Sequence, residues 1–151
     1  MKLFAFTSKS LTNIWAGVGA QLWAVPNSDS EQSNKGRVTK SGRMEVGSFG
    51  ILYCTAKQSF TSPFVVHSKA HPTQVIFDVW EGERGWILPF QIRTIGNPHA
   101  LLPWEVAKAE LPSCRMGTPL NSLIHVEPLT VFTGTEVTAD DWSYLVSKLA
   151  N

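Results

Sequence analysis

Short apolar runs separated by polar segments divide the 151-residue chain into candidate strands and a few candidate helices. Runs of β-branched and aromatic residues that are bounded by turn residues are typical of strands. The pattern predicts five or six strands, which fall within residues 2–7, 21–25, 50–55, 64–69, 74–80 and 86–95. Pro89 interrupts the last run, so that strand should be irregular or lie at an edge of the sheet.

Two short helices are predicted, one between the first two strands and one after the last strand. Residues 11–20 follow Ser10, which is a residue type that caps helices well, although Gly17 and Gly19 lower the helix propensity of the segment. Residues 103–111 begin with proline, which is favoured in the first turn of a helix.

The C-terminal segment predicts a third helix with one apolar face. Thr138 and Asp141 form a variant of the capping box, with Asp in place of the usual Glu. Apolar residues then recur at spacings of three and four, as one face of a helix requires; they are Trp142, Leu145, Val146 and Leu149. We therefore expect Trp142 to lie in the core.

Residues 27–48 are polar, contain almost no large apolar residues, and predict a long loop with at most one weak helical turn. Long ordered loops in compact domains are often functional. This segment is either an ordinary solvated loop or a patch that contacts phosphates. The predicted phosphate contacts in this segment are Lys35, Arg37, Lys40 and Arg43. Arg84, which lies in the later turn 81–85, is added to them.

Charge and cysteine content restrict the class of protein. The net charge of +1 argues against nucleic-acid binding by bulk electrostatics, but it allows a local patch. No stretch approaches the roughly 20 apolar residues that a membrane span requires. Cys54 and Cys114 are too far apart to form a metal-ligand pattern. We expect a single cytoplasmic domain over residues 1–151 that contacts no membrane and needs no cofactor or metal.

The sequence contains no motif of an ordinary enzyme. Its four histidines, His67, His71, His99 and His125, show no metal-ligand spacing. Glu81 and Glu83 lie in a turn and make no convincing catalytic pair. We therefore name no catalytic residue.

Three of the six tryptophans stand at the ends of predicted strands. Trp23 ends the second strand, and Trp80 and Trp86 flank the polar turn EGERG. In the strand 74–80, Val75, Phe77 and Val79 are expected to share one face and Trp80 to lie on the other. The three tryptophans either form the walls of one pocket that binds a flat or cationic guest, or they are spread through the core.

Several segments resemble known domains. The start KLFAFTSKSLTNIWAGVGAQLWAVPN is similar to the start of YTH and EVE domains, both of the wider PUA-like fold, and Trp23 lies 15 residues after Ser8 as in YTH domains. WILPFQIR resembles the YTH pattern of tryptophan, three residues and phenylalanine, here Trp86 and Phe90. Trp80 lies six residues before Trp86, where YTH domains usually have an aromatic residue five before. GRMEVGSFGILYC and FTGTEVTADDW suit EVE domains equally well.

The resemblance implies an α+β, PUA-like fold: a strongly curved mixed β-sheet or open barrel flanked by short helices. It also implies a non-catalytic reader that flips a modified base into an aromatic cage, formed here by Trp23, Trp80 and Trp86. Asn13 and Ser8 would then contact the base edge, while Lys9 departs from the YTH pattern. The base would be 6-methyladenine or 5-methyl- or 5-hydroxymethylcytosine in DNA or RNA.

The same resemblance implies a nucleic-acid partner that carries the modified base. It also suggests a nuclease or motor partner, as in a modification-dependent restriction system. The alternatives are a small ribonuclease of the ASCH type, another RNA-binding or RNA-processing protein, and an interaction module whose tryptophans are all core. The reader hypothesis predicts that Trp23→Ala and Trp86→Ala melt almost like the native protein, whereas Trp142→Ala melts lower.

Overall fold

An open, mixed β-sheet forms the centre of the fold in a computed structural model that describes residues 1–127 and 130–151. Within those residues its eight strands are β1 (Lys2–Ser8), β2 (Leu22–Pro26), β3 (Phe49–Cys54), β4 (Ser59–Val66), β5 (Val75–Ile76), β6 (Trp86–Thr94), β7 (Leu102–Pro103) and β8 (Thr135–Glu136). The main path of hydrogen-bonded neighbours runs β2-β6-β4-β3-β1-β8, with β5 paired to β6 and β7 to β4. Strands β1 and β3 are parallel, and the other pairs are antiparallel.

Short helices flank this sheet. In the described part of the chain they are α1 (Leu11–Ala20), α2 (Glu31–Ser41), α3 (Trp104–Glu110), α4 (Pro112–Arg115), α5 (Leu120–Leu123) and α6 (Ala139–Leu149). The predicted α+β class, with an open mixed sheet and short flanking helices, is therefore confirmed.

Strand β1 shows that the sheet has a core on each side. Phe4 and Phe6 belong to one buried cluster, which also contains Trp23, whereas Leu3 and Ala5 belong to a second. Successive side chains of a strand point to opposite faces, and a strand that is covered on both faces reads as a continuous apolar run. The run LFAF has this form. Helix α1 contributes to the first cluster and α6 to the second.

The predicted helix caps are present. The Ser10 side chain accepts a hydrogen bond from the Asn13 backbone N–H at 3.2 Å. Thr138 and Asp141 make both bonds of the capping box. Trp142 is only half-buried and packs on Phe49, with ring centroids 4.6 Å apart. Trp142 therefore lies at the margin of the second cluster rather than at its centre.

The loop predicted for residues 27–48 is wrong, because this segment contains the three-turn helix α2. The Ser30 side chain caps this helix by accepting from the Ser33 N–H at 3.2 Å. Ser41 is the one residue of α2 that is fully buried. A helix with so little core contact needs no apolar stripe, so the hydrophobic pattern carried no signal for it.

The predicted strand 74–80 is also mostly wrong, since only Val75 and Ile76 pair with β6. Of the three side chains expected to share one face, Phe77 is 64% exposed and Val75 is 38% exposed, whereas Val79 is half-buried. The segment has the composition of a strand, but it leaves the sheet after two residues, so the residues that follow are not held in the sheet. Trp80 then returns to the core, where it is 3% exposed, and Val79 packs against the same cluster.

Smaller differences concern strand limits. Strand β4 begins at Ser59, five residues before the predicted run, and β7 and β8 are too short to show a pattern. Strand β6 is irregular at Leu88, which has a φ of 58°, next to Pro89. That strand lies between β2 and β4, so the expected irregularity is confirmed and the edge position is not.

A glycine on α1 sets the distance between this helix and strand β2. A Cβ atom placed on Gly17 would lie 2.6 Å from Cε3 of Trp23, whereas one on Gly19 would meet nothing within 4 Å. Such a distance is far below van der Waals contact. Gly17 is therefore required for the close approach of α1 to Trp23, while Gly19 is exchangeable.

These two glycines give a matched test of the helix–strand contact. Gly17→Ala should lower the free energy of unfolding by roughly 1–3 kcal/mol, because overpacking forces the Trp23 ring to move. Gly19→Ala should raise it by up to about 1 kcal/mol through helix propensity. Urea unfolding of both variants measures the difference. Equal midpoints would contradict the contact.

The carboxylate of Asp141 joins α6 to the start of α4. It accepts hydrogen bonds from the Ser113 backbone N–H at 2.8 Å, from the Ser113 hydroxyl, and from the Thr138 N–H at 3.1 Å. Burial by itself raises the pKa of this carboxyl, but the hydrogen bonds from Ser113 and Thr138 outweigh it and lower the pKa below the usual value.

This lowered pKa predicts a pH dependence of stability. A carboxyl with a lower pKa in the folded state stabilises the fold above its unfolded pKa of about 3.9, and that stabilisation is lost as the pH falls further. Asp141→Asn should cost about 1–3 kcal/mol near pH 7 and should flatten the loss of stability below about pH 4. Urea unfolding at both pH values tests this, with the exposed neighbour Asp140→Asn as the control. An unchanged pH profile in Asp141→Asn would refute the assignment.

Candidate functional site

A cavity of about 690 Å³ opens where the ends of β1 and β2 approach helix α2 and the loop of residues 81–85. We call it the tryptophan cavity, because Trp23 and Trp86 both line it. Its volume lies within the range of about 300–1,000 Å³ that is typical of small-molecule sites. Polar groups enter it from α1, α2 and the loop, so it combines apolar walls with a polar rim.

Three tryptophans converge beside this cavity. The ring of Trp23 meets Trp80 edge to face at a centroid distance of 5.5 Å and Trp86 at 6.1 Å. Trp80 and Trp86 stack on each other at 4.9 Å, with 29° between their planes. Offset-stacked and edge-to-face pairs are the arrangements that aromatic rings prefer. The cluster is therefore well packed, with all three residues at most 6% exposed.

Both indole N–H groups opposite Trp23 are bonded to backbone carbonyls. Nε1 of Trp80 donates to the Asn13 carbonyl on α1 at 3.0 Å. Nε1 of Trp86 donates to the Glu81 carbonyl in the loop at 3.1 Å. These bonds fix the orientations of the Trp80 and Trp86 rings.

The arrangement differs from the predicted three-walled cage. Trp80 is not among the described residues that line the cavity; it lies behind Trp23 and Trp86 and contacts both. The planes of Trp23 and Trp86 stand at 78°. Two walls therefore form a corner, and a flat guest would stack on one ring while its edge meets the other.

Two residues that the sequence assigned to the base edge also line the cavity. Ser8 ends β1 and is 6% exposed; its hydroxyl oxygen accepts from the Ser10 N–H at 3.4 Å. Asn13 is half-buried on the first turn of α1. Within residues 1–127 and 130–151 the Asn13 side-chain amide makes no hydrogen bond, so it is free to bond a guest.

The predicted phosphate contacts are not brought together in one patch. Arg37 lines the cavity, and its guanidinium donates to the Pro26 carbonyl at 2.8 Å. Partial burial lowers the pKa of this guanidinium. Lys35 and Arg43 are exposed and Lys40 is half-buried; none of these three lines the cavity. Since Lys35 lies two residues from Arg37 on a helix, the two side chains point to different faces.

The loop contributes the remaining predicted cation. Arg84 lines the cavity mouth, and its side chain is 63% exposed. It approaches Asp29 at 4.0 Å, and the side chain of Asp29 is itself 78% exposed. Exposed pairs of this kind contribute little to stability, so Arg84 is available for another partner.

Sequence reasoning missed several lining residues. Lys9 adds a cation, and three carboxylates are contributed by Glu81, Glu83 and Glu127. The first two acids were visible in the turn but had been assigned no role at a cavity. Glu127 follows α5 and carries no local motif that could have placed it there. The cavity mouth is consequently close to neutral rather than basic.

Other chemical groups do not assemble into a recognisable centre. No group of three or more His, Cys, Asp or Glu residues suited to a metal ion occurs among the described residues. In that part of the chain no helix has the length and apolar character to cross a bilayer. Cys54 is a buried free thiol, and Cys114 is partly buried and also free.

Comparison with known proteins identifies the fold. No protein-family model matches the sequence, and no curated protein matches it. The Pho92 YTH domain in complex with m6A aligns with a TM-score of 0.63 and 14% identity, over 97% of this chain and 82% of that one. The Toxoplasma CPSF4 YTH domain in its apo form gives 0.60 and 11%, over 99% and 88%.

A third solved structure agrees with these two. The YTH domain of the Zygosaccharomyces rouxii MRB1 protein, in complex with N6-methyladenosine RNA, aligns with a TM-score of 0.58 and 14% identity, over 97% of this chain and 84% of that one. The chain therefore has the fold of YTH domains, and the resemblance drawn from the sequence is confirmed. At these identities the likeness establishes the fold alone.

The burial of the tryptophans changes the expected effect of removing them. Truncating a buried tryptophan costs roughly 3–5 kcal/mol, so Trp23→Ala, Trp80→Ala and Trp86→Ala should each unfold at lower urea than the native protein. Trp15, which is 40% exposed, is the matched control and should cost far less when changed to Ala. A near-native midpoint for Trp86→Ala would show that its ring does not pack as described.

Proposed function

We propose that this protein is a non-catalytic reader of N6-methyladenine in single-stranded RNA, which holds the methylated base in the tryptophan cavity. The observation that carries the proposal is the corner formed by Trp23 and Trp86 at a cavity whose rim presents the unbonded amide of Asn13. Supporting evidence comes from solved YTH structures of the same fold that contain m6A or N6-methyladenosine RNA.

Stacking would provide most of the binding energy. A base stacked on an aromatic side chain gains about 1–3 kcal/mol. One indole of the corner would take the face of the purine, and the other would close against its N6 edge. A base must leave its neighbours to enter, and the cost of unstacking is smallest in an unpaired strand.

Recognition of the methyl group requires a dry and fitted surface. Burial of one methyl group is worth about 0.8 kcal/mol, which alone is only a factor of about four in affinity. Rigid indole rings lose little rotamer freedom on binding, and the N–H of Trp86 is already bonded to the Glu81 carbonyl. The corner therefore offers a rigid apolar surface that gains from burial of the methyl group.

The amide of Asn13 suits the polar edge of the same base. N6-methyladenine retains one N–H donor on its exocyclic nitrogen and has a ring-nitrogen acceptor beside it. An asparagine side chain has a carbonyl acceptor and an NH₂ donor. Ser8, also in the wall, adds a hydroxyl that can donate or accept.

The cations would contact the strand rather than the base. Lys9 and Arg84 line the cavity and would meet the phosphates on either side of a bound nucleotide. Lys35, Lys40 and Arg43 would act further along the strand. A nuclease or motor partner remains a prediction from the sequence resemblance.

Binding of a labelled RNA tests the proposal. A single-stranded RNA with one N6-methyladenine should bind at least about tenfold more tightly than the unmethylated RNA, as measured by fluorescence anisotropy. Parallel titrations with 5-methylcytosine RNA and with methylated DNA assign the base and the sugar. Equal affinities for all four oligonucleotides would refute a reader, and cleavage of the RNA in metal-free buffer would favour the ribonuclease alternative.

Two tryptophan variants locate the binding site. Trp86→Leu keeps an apolar side chain but removes the stacking surface, so methylated RNA should bind about 5- to 100-fold more weakly. Trp142→Leu changes a tryptophan on the opposite side of the sheet and should bind normally. Both should be assayed well below their melting temperatures.

A further inference from the structure

A large aromatic side chain is exposed beside the tryptophan cavity. Phe77 follows β5 and is 64% exposed, and its neighbour Val75 is 38% exposed. A buried position for Phe77 would gain free energy from its apolar area. The exposed ring therefore adds an apolar surface at the edge of the cavity.

The Phe77 ring is tied to the cavity by Gly85. A Cβ atom on Gly85 would lie 2.8 Å from Cε1 of Phe77 and 2.7 Å from Cγ1 of Val75. Gly85 also lines the cavity, and its φ of 73° is one that glycine adopts readily. The backbone at Gly85 thus separates the cavity from the exposed ring by a single layer of chain.

We propose that Phe77 is a stacking platform for the unpaired base adjacent to the one held in the tryptophan cavity. This inference rests on the proposed function and adds a second subsite to it. A base that stacks there covers the exposed ring, and such stacking tolerates any sequence because every base has a π-face.

The loop beside Phe77 can also hold the phosphate between the two bases. Arg84 directly precedes Gly85, and its carbonyl accepts from the Asn27 side chain at 3.0 Å. The Gly85 carbonyl accepts from the Asn27 N–H, also at 3.0 Å. These bonds position the loop, while the exposed guanidinium of Arg84 forms a weak pair with Asp29 at 4.0 Å. A phosphate would be a stronger partner for it.

Abasic RNA tests the platform directly. In native protein, removing the base on one side of N6-methyladenine should weaken binding about 5- to 100-fold, the range expected for one stacked base. Phe77→Ala should weaken binding of the intact methylated RNA by the same factor. It should bind that abasic RNA no more weakly than native protein does, because the two changes remove one contact.

Matched variants separate stacking from loss of apolar surface. Phe77→Trp should retain binding, whereas Phe77→Leu should behave like Phe77→Ala. Met116→Ala, which alters another exposed apolar residue at 87% exposure, should bind as the native protein does.

Three results would overturn the platform. They are native affinity of Phe77→Ala for the intact methylated RNA, full retention by Phe77→Leu, and independent, multiplicative losses from Phe77→Ala and the abasic site. Failure of the native protein to prefer methylated RNA is a different result, which removes the proposed function and the platform together.

Discussion

The contact between Gly17 and Trp23 is the constraint on which the cavity depends. It lets α1 lie directly on the indole ring, and the ring in turn supports Trp80 and Trp86 edge to face. The indole N–H of Trp80 donates a hydrogen bond to the Asn13 carbonyl on α1, so this third ring is bonded to the helix that contacts Trp23. Helix, strand and loop are thereby joined through three indoles, so the cavity wall is also part of the core.

Trp23 and Trp86 line the cavity and also belong to the buried core, so core residues and site residues are not separate sets here. Residues that only line a surface can be removed at little cost, whereas these tryptophans are buried as fully as the phenylalanines beneath them. A pocket that must hold an apolar group needs rigid walls, and rigidity comes from packing. Substitutions that retain bulk are therefore more informative about binding than truncations.

The sequence predicted most of the sheet and part of the site, for identifiable reasons. Strand β1 and helix α6 carry apolar patterns that their burial requires, so both were visible. Helix α2 was missed because its one fully buried residue is a serine. Trp23 and Trp86 were placed at the cavity through resemblance, whereas Glu127 comes from a distant segment that no local pattern connects to it. Phe77 was assigned to a strand because the composition of residues 74–80 fits one, but the chain leaves β6 after Ile76 and Phe77 is exposed.

The main chain and the side chain of Asn13 have different structural roles. The carbonyl that bonds Trp80 belongs to the backbone, and every amino acid supplies it. The side chain lines the cavity and makes no hydrogen bond within the described residues. This side chain can therefore be exchanged without disturbing the packing of the three indoles. In the reader proposed above, position 13 is thus a point at which the contact to the base edge can change while stability is kept.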